Sequence, residues 1–102
     1  MAITLDLIAK GYDVLTASNA GQAIKILESR NDIETIFTDI EMPGSMDGLK
    51  LTTAVRNRWP PVNIVITSGK KRPWDSEMPK NTGFVLKPYA TNDVLNAFRV
   101  FN

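Results

Sequence analysis

Asp39 closes the apolar run Ile36-Phe37-Thr38-Asp39, and a loop from Ile40 to Asp47 follows it at once. Thr67-Ser68 closes the next apolar run, and Lys87 closes the last one. A carboxylate, a hydroxyl and an amine are what transfer of a phosphoryl group to a carboxylate requires: a nucleophile, a donor to a phosphoryl oxygen, and a cation that offsets the charge. Any one of them alone is a common cap or turn residue. Three at successive strand ends argue for a site. The chain has no His and no Cys, so imidazole bases and ligands, phosphohistidine, disulfides and thiolate chemistry are all excluded.

The elements that must position this trio follow from the pattern of apolar residues. Short β-branched runs alternate with amphipathic stretches between Tyr12 and Leu86, as in βαβ units around a parallel sheet, so the fold class is α/β. Strands are predicted at Tyr12–Ala17, Glu34–Asp39, Asn63–Thr67 and Phe84–Leu86. Their mostly apolar composition suits strands covered by helices on both faces. Ala20, Ala23, Ile24 and Leu27 share one helical face in a helix over 19–30, with Asn19 as its N-cap. A second helix spans Gly48–Arg58, capped by Asp47 and stopped before Pro60-Pro61. A third spans Thr91–Phe101 with Thr91 as its cap, and Ile3–Lys10 forms a short opening helix closed by Gly11. Ser68 to Gly83 reads as a loop with room for one helical turn. In a parallel sheet the ends of these strands lie at the carboxyl edge, where open α/β folds bind ligands.

With 102 residues, 43% hydrophobic and 23% charged, the chain has the composition of one globular domain, and it is read as a single domain over 1–102 without an output domain. A net charge of +1 gives no field favouring nucleic acid or anionic lipid. Lys70-Lys71-Arg72 near Trp74, together with Arg56 and Arg58-Trp59, are read as solvated surface and not as a nucleic-acid face. No run approaches the ~20 apolar residues of a membrane helix, and no signal-peptide pattern opens the chain, so a cytoplasmic protein is expected.

The ordered motifs resemble those of the receiver domain of two-component response regulators. They are Phe37-Thr38-Asp39-Ile40-Glu41-Met42-Pro43 with Met46-Asp47-Gly48, then Ile66-Thr67-Ser68-Gly69, then Phe84-Val85-Leu86-Lys87-Pro88, and the likeness runs from about Ile3 to Phe101. The resemblance implies a flavodoxin-like sheet and assigns Asp39 as phosphoacceptor, Thr67 as the hydroxyl that moves toward the phosphoryl group, Lys87 as the cation and Phe84 as the aromatic switch. It further implies Mg²⁺ held by Asp39 and the backbone carbonyl of Glu41, a Lys87-Pro88 bond that is often cis, and a partner face near Trp74, Met78 and Phe84.

Two departures qualify this. Gly44-Ser45 stands where most receivers have one residue. More seriously, receivers begin with a strand ending in an acidic pair that binds Mg²⁺, whereas this chain opens in the helix that follows. Mg²⁺ is therefore expected to bind weakly or not at all, with Glu41 the only other nearby acid and more simply a solvated loop residue. In the 2-1-3-4-5 order the first strand is interior, so its place needs filling. Tyr12–Ala17 could pair directly with Glu34–Asp39, two chains could exchange segments as a homodimer, or Met1 could be an internal start with more chain upstream. Exchange is the state expected of the chain as it stands.

The expected function is a receiver module, not an enzyme. It accepts a phosphoryl group on Asp39 from a histidine kinase or phosphotransfer protein, with impaired Mg²⁺ dependence, and signals through a downstream protein partner. A phosphorylation-independent pseudo-receiver acting by protein contact is the alternative. A phosphatase of the haloacid dehalogenase type would need a second Asp two residues after the first, where this chain has Glu41.

Overall fold

The computed structural model describes residues 3–41, 47–69, 78 and 81–100. Helices α1 (Ile3–Ala9) and α2 (Ala20–Ser29) precede strand β1 (Thr35–Asp39), helix α3 (Gly48–Arg58), strand β2 (Asn63–Ser68), strand β3 (Thr82–Leu86) and helix α4 (Thr91–Arg99). The three strands form one parallel sheet in the order β1-β2-β3.

Alternation along β2 explains the layers. Ile64 and Ile66 point into a cluster with Leu27 of α2 and Leu51 and Val55 of α3, while Val65 points to the other face, toward Leu7 of α1 and Val94 and Phe98 of α4. Val55, Ile64, Val65, Ile66 and Val94 are fully buried, each worth roughly 1.5–3 kcal/mol relative to exposure. A strand covered on both faces has no polar side, which is why β2 reads as a continuous apolar run.

The helix ends follow local chemistry. Asn19 and Asp47 cap α2 and α3 by accepting from the Gln22 and Lys50 amides, each at 2.9 Å. Gly11 closes α1 with φ +95, the Tyr12 amide reaching back to the Leu7 carbonyl at 3.1 Å. Thr91 is not the cap of α4. Ala90 stands there, Asp93 accepts from the Ala90 amide at 2.9 Å, and the Thr91 hydroxyl donates to Asp6 on α1 at 2.8 Å. β3 also begins earlier than predicted, because Gly83 takes a ladder position opposite Val65 instead of a turn.

Tyr12 to Ala17 is not a strand. It is extended chain with no sheet partner, and no backbone hydrogen bond joins it to β1 among the described residues. The reason is distance: a cavity of about 620 Å³, lined by residues of both segments, separates them. Side chains hold the segment instead, Tyr12 meeting Phe98 edge-on at 5.6 Å between ring centroids and Val14 packing on the α1/α4 cluster. Direct pairing of this segment with β1 is therefore not the arrangement adopted. The motif residues Met42, Pro43 and Met46, the Gly44-Ser45 turn, and Lys70-Lys71-Arg72 and Trp74 lie outside the described residues.

Candidate functional site

The pleat assembles the trio. Asp39 of β1 stands opposite Thr67 of β2, and Thr67 opposite Val85 of β3, two residues before Lys87. Side chains two apart share a face, so all three belong to one side of the sheet at its carboxyl edge. The Ile40 amide donates to the Thr67 carbonyl and the Lys87 amide to the Ser68 carbonyl, both at 2.9 Å, fixing the chain as it leaves β1 and β3. The Lys87-Pro88 bond is cis.

Lys87 Nζ forms an ion pair with Asp39 Oδ1. That oxygen is buried, and among the described residues the ammonium is the charged donor that faces it. The Lys87 pKa is raised above the usual lysine value chiefly by its contact with the Asp39 carboxylate, with partial burial opposing and the Glu41 charge adding. Burial raises the phenol of Tyr89 as well, where its ring meets Phe37 edge-on at 5.7 Å. The Thr67 hydroxyl is fully buried and has no hydrogen-bond partner among the described residues. A buried hydroxyl without a partner costs roughly 1–3 kcal/mol.

Two features had no role assigned from the sequence. Ser68, 1% exposed, donates to Glu41 Oε1 at 2.7 Å, so the Glu41 carboxylate, exposed as a loop residue, is also tied to the end of β2. Gly48, first residue of α3, donates its amide to the Ile40 carbonyl at 2.8 Å. A Cβ there would sit 1.9 Å from the Asp39 carbonyl oxygen. Only glycine lets the helix start this close beneath the end of β1; the Asp47-Gly48 pair was the available signal. Phe84 and Met78 are partly buried against the α2/α3 cluster, Phe84 standing opposite Ile66.

Among the described residues, Asp39 and Glu41 are the carboxylates at this edge, the first engaged by Lys87 and the second by Ser68. The described residues hold no group of three or more His, Cys, Asp or Glu that could bind a metal. Mg²⁺ needs near-octahedral oxygen coordination. No described helix is long and apolar enough to cross a membrane.

Comparison with known proteins agrees with this geometry. The family model for the response regulator receiver domain matches residues 1–99. The chain is 33% identical over 92 residues to the CAI-1 autoinducer sensor kinase/phosphatase CqsS of Vibrio cholerae, covering 84% of this chain and 13% of that protein. It is 33% identical over 94 residues to the transcriptional regulatory protein AruR of Pseudomonas aeruginosa, covering 85% and 38%. It thus spans well under half the length of these curated relatives. A response regulator receiver protein from Sinorhizobium medicae superimposes with a TM-score of 0.87 at 25% identity over 99% of this chain and 86% of that one. The receiver domain of NtrX from Brucella abortus does so with a TM-score of 0.84 at 26% identity, over 98% and 87%. With a parallel α/β sheet gathering Asp39, Thr67 and Lys87 at one edge, and a family match over nearly its whole length, the chain belongs to the response regulator receiver domain family.

Proposed function

We propose that this chain is the phosphoryl-accepting module of a two-component pathway, with Asp39 as acceptor. The observation that carries the reading is the Asp39–Lys87 ion pair beside the buried, unpartnered Thr67 hydroxyl. In the step proposed, an Asp39 carboxylate oxygen attacks phosphorus of a phosphohistidine on a kinase or phosphotransfer protein. The new O–P bond forms as the P–N bond breaks, and the imidazole leaves with the electron pair. Lys87 offsets charge on the phosphoryl oxygens and Thr67 Oγ1 donates to one of them. Phe84, opposite Ile66 and packed against the α2/α3 cluster on the other face of the sheet, then carries the change to a downstream protein partner. Mg²⁺ contributes weakly in this reading, consistent with the sparse carboxylates. Ser68 holding Glu41 argues against Glu41 as the acid/base of a phosphatase.

The test is incubation with phosphoramidate, with and without Mg²⁺, read by intact mass. A single phosphoryl adduct on the wild type, absent from Asp39→Asn, is the expected result. No adduct from phosphoramidate or from a phosphorylated cognate kinase would refute it. The poor metal donor set favours a second reading, a phosphorylation-independent interaction module. That reading requires Asp39→Ala to bind a cognate partner as well as the wild type does.

A further inference from the structure

A second groove lies at the opposite end of the sheet from Asp39. It is bordered by the end of α2 and by the turn from α3 into β2, both at the amino edge of the parallel strands, and encloses about 510 Å³. Leu27 and Val62, buried in the α2/α3 cluster, form its base, with half-buried Trp59 and exposed Pro61 beside them. The Trp59 indole is held in place. It packs on the same cluster and lies under the Arg58 guanidinium, 4.4 Å from the ring centroid, and Glu28 of α2 holds Arg58 in turn at 2.8 Å. An aromatic wall fixed in advance loses little freedom when an occupant arrives. The indole N–H makes no hydrogen bond among the described residues and is not shut off from solvent, so the groove offers a donor.

The charges at the rim cancel. Glu28 pairs with Arg58, and Arg30, the other charged residue of the lining, pairs with Asp32 at 2.7 Å. An occupant without formal charge therefore suits the groove. Size and surroundings choose its backbone. A helix about 10 Å across that rises 1.5 Å per residue takes roughly 120 Å³ per residue, so about 510 Å³ holds about four residues. Four residues make one helical turn, too short to persist in water. Strand addition needs an open strand edge, whereas a helix end and a turn line this groove. Polyproline II needs neither: four residues extend about 12 Å, leave every carbonyl free to accept, and present apolar rings to an aromatic wall. We propose that the groove binds an uncharged P-x-x-P segment of a partner protein in the polyproline II conformation, with Trp59 Nε1 donating to one of its carbonyls. A second copy of this chain does not supply one, since Pro43, Pro60, Pro61, Pro73, Pro79 and Pro88 include no pair three apart. The length of β1, five residues at about 3.3 Å each, separates the groove from Asp39, so the contact does not depend on phosphoryl chemistry at that edge.

The test is a peptide titration of the 102-residue protein by two-dimensional NMR, reading the backbone amides and the Trp59 indole N–H, whose signal Trp59→Phe identifies. One end-blocked, uncharged peptide carries P-x-x-P, and a second has alanine at both proline positions. The first should shift the Trp59 indole and amides within 27–31 to saturation, as strongly at about 1 M salt as at about 0.1 M, and leave the Asp39 amide unmoved. The second should shift none of them. Trp59→Phe keeps an aromatic wall and removes the donor, and should bind the first peptide about fivefold more weakly. Equal shifts with the alanine peptide would overturn the choice of polyproline II, and binding lost at high salt would overturn the choice of an uncharged occupant. No shift at about 10 mM peptide would overturn the site itself. So would a change in the same signals on diluting the free protein, which would assign the groove to a second copy.

Discussion

Replacing Gly48 with alanine tests how tightly α3 and the end of β1 are built together. The added Cβ would lie 1.9 Å from the Asp39 carbonyl oxygen, 2.7 Å from the Asp39 carbonyl carbon and 2.7 Å from the Ile40 Cα, all backbone atoms that cannot rotate away. Ordinary contact begins near 3.5 Å, so helix and strand end must separate by roughly 1.5 Å. Two hydrogen bonds resist that, Gly48 N to Ile40 O at 2.8 Å and Ile40 N to Thr67 O at 2.9 Å. Overpacking costs about 1–3 kcal/mol, and losing the first of these bonds about 1 kcal/mol more. Alanine's better helix propensity returns less than about 1 kcal/mol. The balance is a loss of about 1–3 kcal/mol, which for a domain this size lowers Tm by roughly 5–20 °C. Urea unfolding followed by circular dichroism measures it. The same displacement moves Asp39, and a 1 Å misplacement can cost about 10²-fold in rate, so phosphoramidate labelling should slow by about that factor. If Gly48→Ala loses less than about 0.5 kcal/mol and labels at the wild-type rate, the close approach of helix and strand is wrong.

Thr67→Val should be neutral or stabilising by up to about 1 kcal/mol, because the hydroxyl it removes is buried without a partner. Phosphoryl labelling should fall by about 10²-fold, and a clear loss of stability would show that Thr67 has a structural partner. For Lys87 the folded-state pKa is raised by Asp39, so the stabilising contribution of the pair is fully present below the unfolded lysine value and is lost as pH rises through the raised one. The Lys87 side chain is 40% exposed, so the effect is under about 1 kcal/mol. Urea midpoints of wild type and Lys87→Met should converge above pH ~10.5, and a gap that widens there would reverse the assignment. Arg56 donates to the carbonyls of Pro60, Val62 and Asn81 at 2.6, 3.0 and 3.4 Å, joining the end of α3 to the entry of β3. Arg56→Met should cost about 2 kcal/mol in thermal or urea unfolding, and a cost under about 0.5 kcal/mol would mean that water replaces it.

What the sequence disclosed and what it concealed divide along a physical line. Asp39, Thr67 and Lys87 were legible because each ends an apolar run, and a parallel sheet brings successive strand ends to one edge whatever the details of packing. The caps at Asn19 and Asp47 were legible for the same kind of reason, since a cap acts within four residues of itself. Tyr12–Ala17 misled because strand pattern reports a side chain's preference for a pleated, half-buried surface, and here that preference is met by Phe98 and the α1/α4 cluster without any ladder. Gly48 and the Ser68–Glu41 bond were concealed because both depend on distances between elements far apart in sequence, which no local pattern encodes. Those same hidden contacts join the end of β1 to β2 and α3, so the position of the Asp39 carboxylate is set from two sides by residues that make no contact with its charge. Substitutions at Ser68 or Gly48 should therefore alter the acceptor's reactivity while leaving Asp39, Thr67 and Lys87 intact, and a site defined by those three residues alone would leave such variants unexplained.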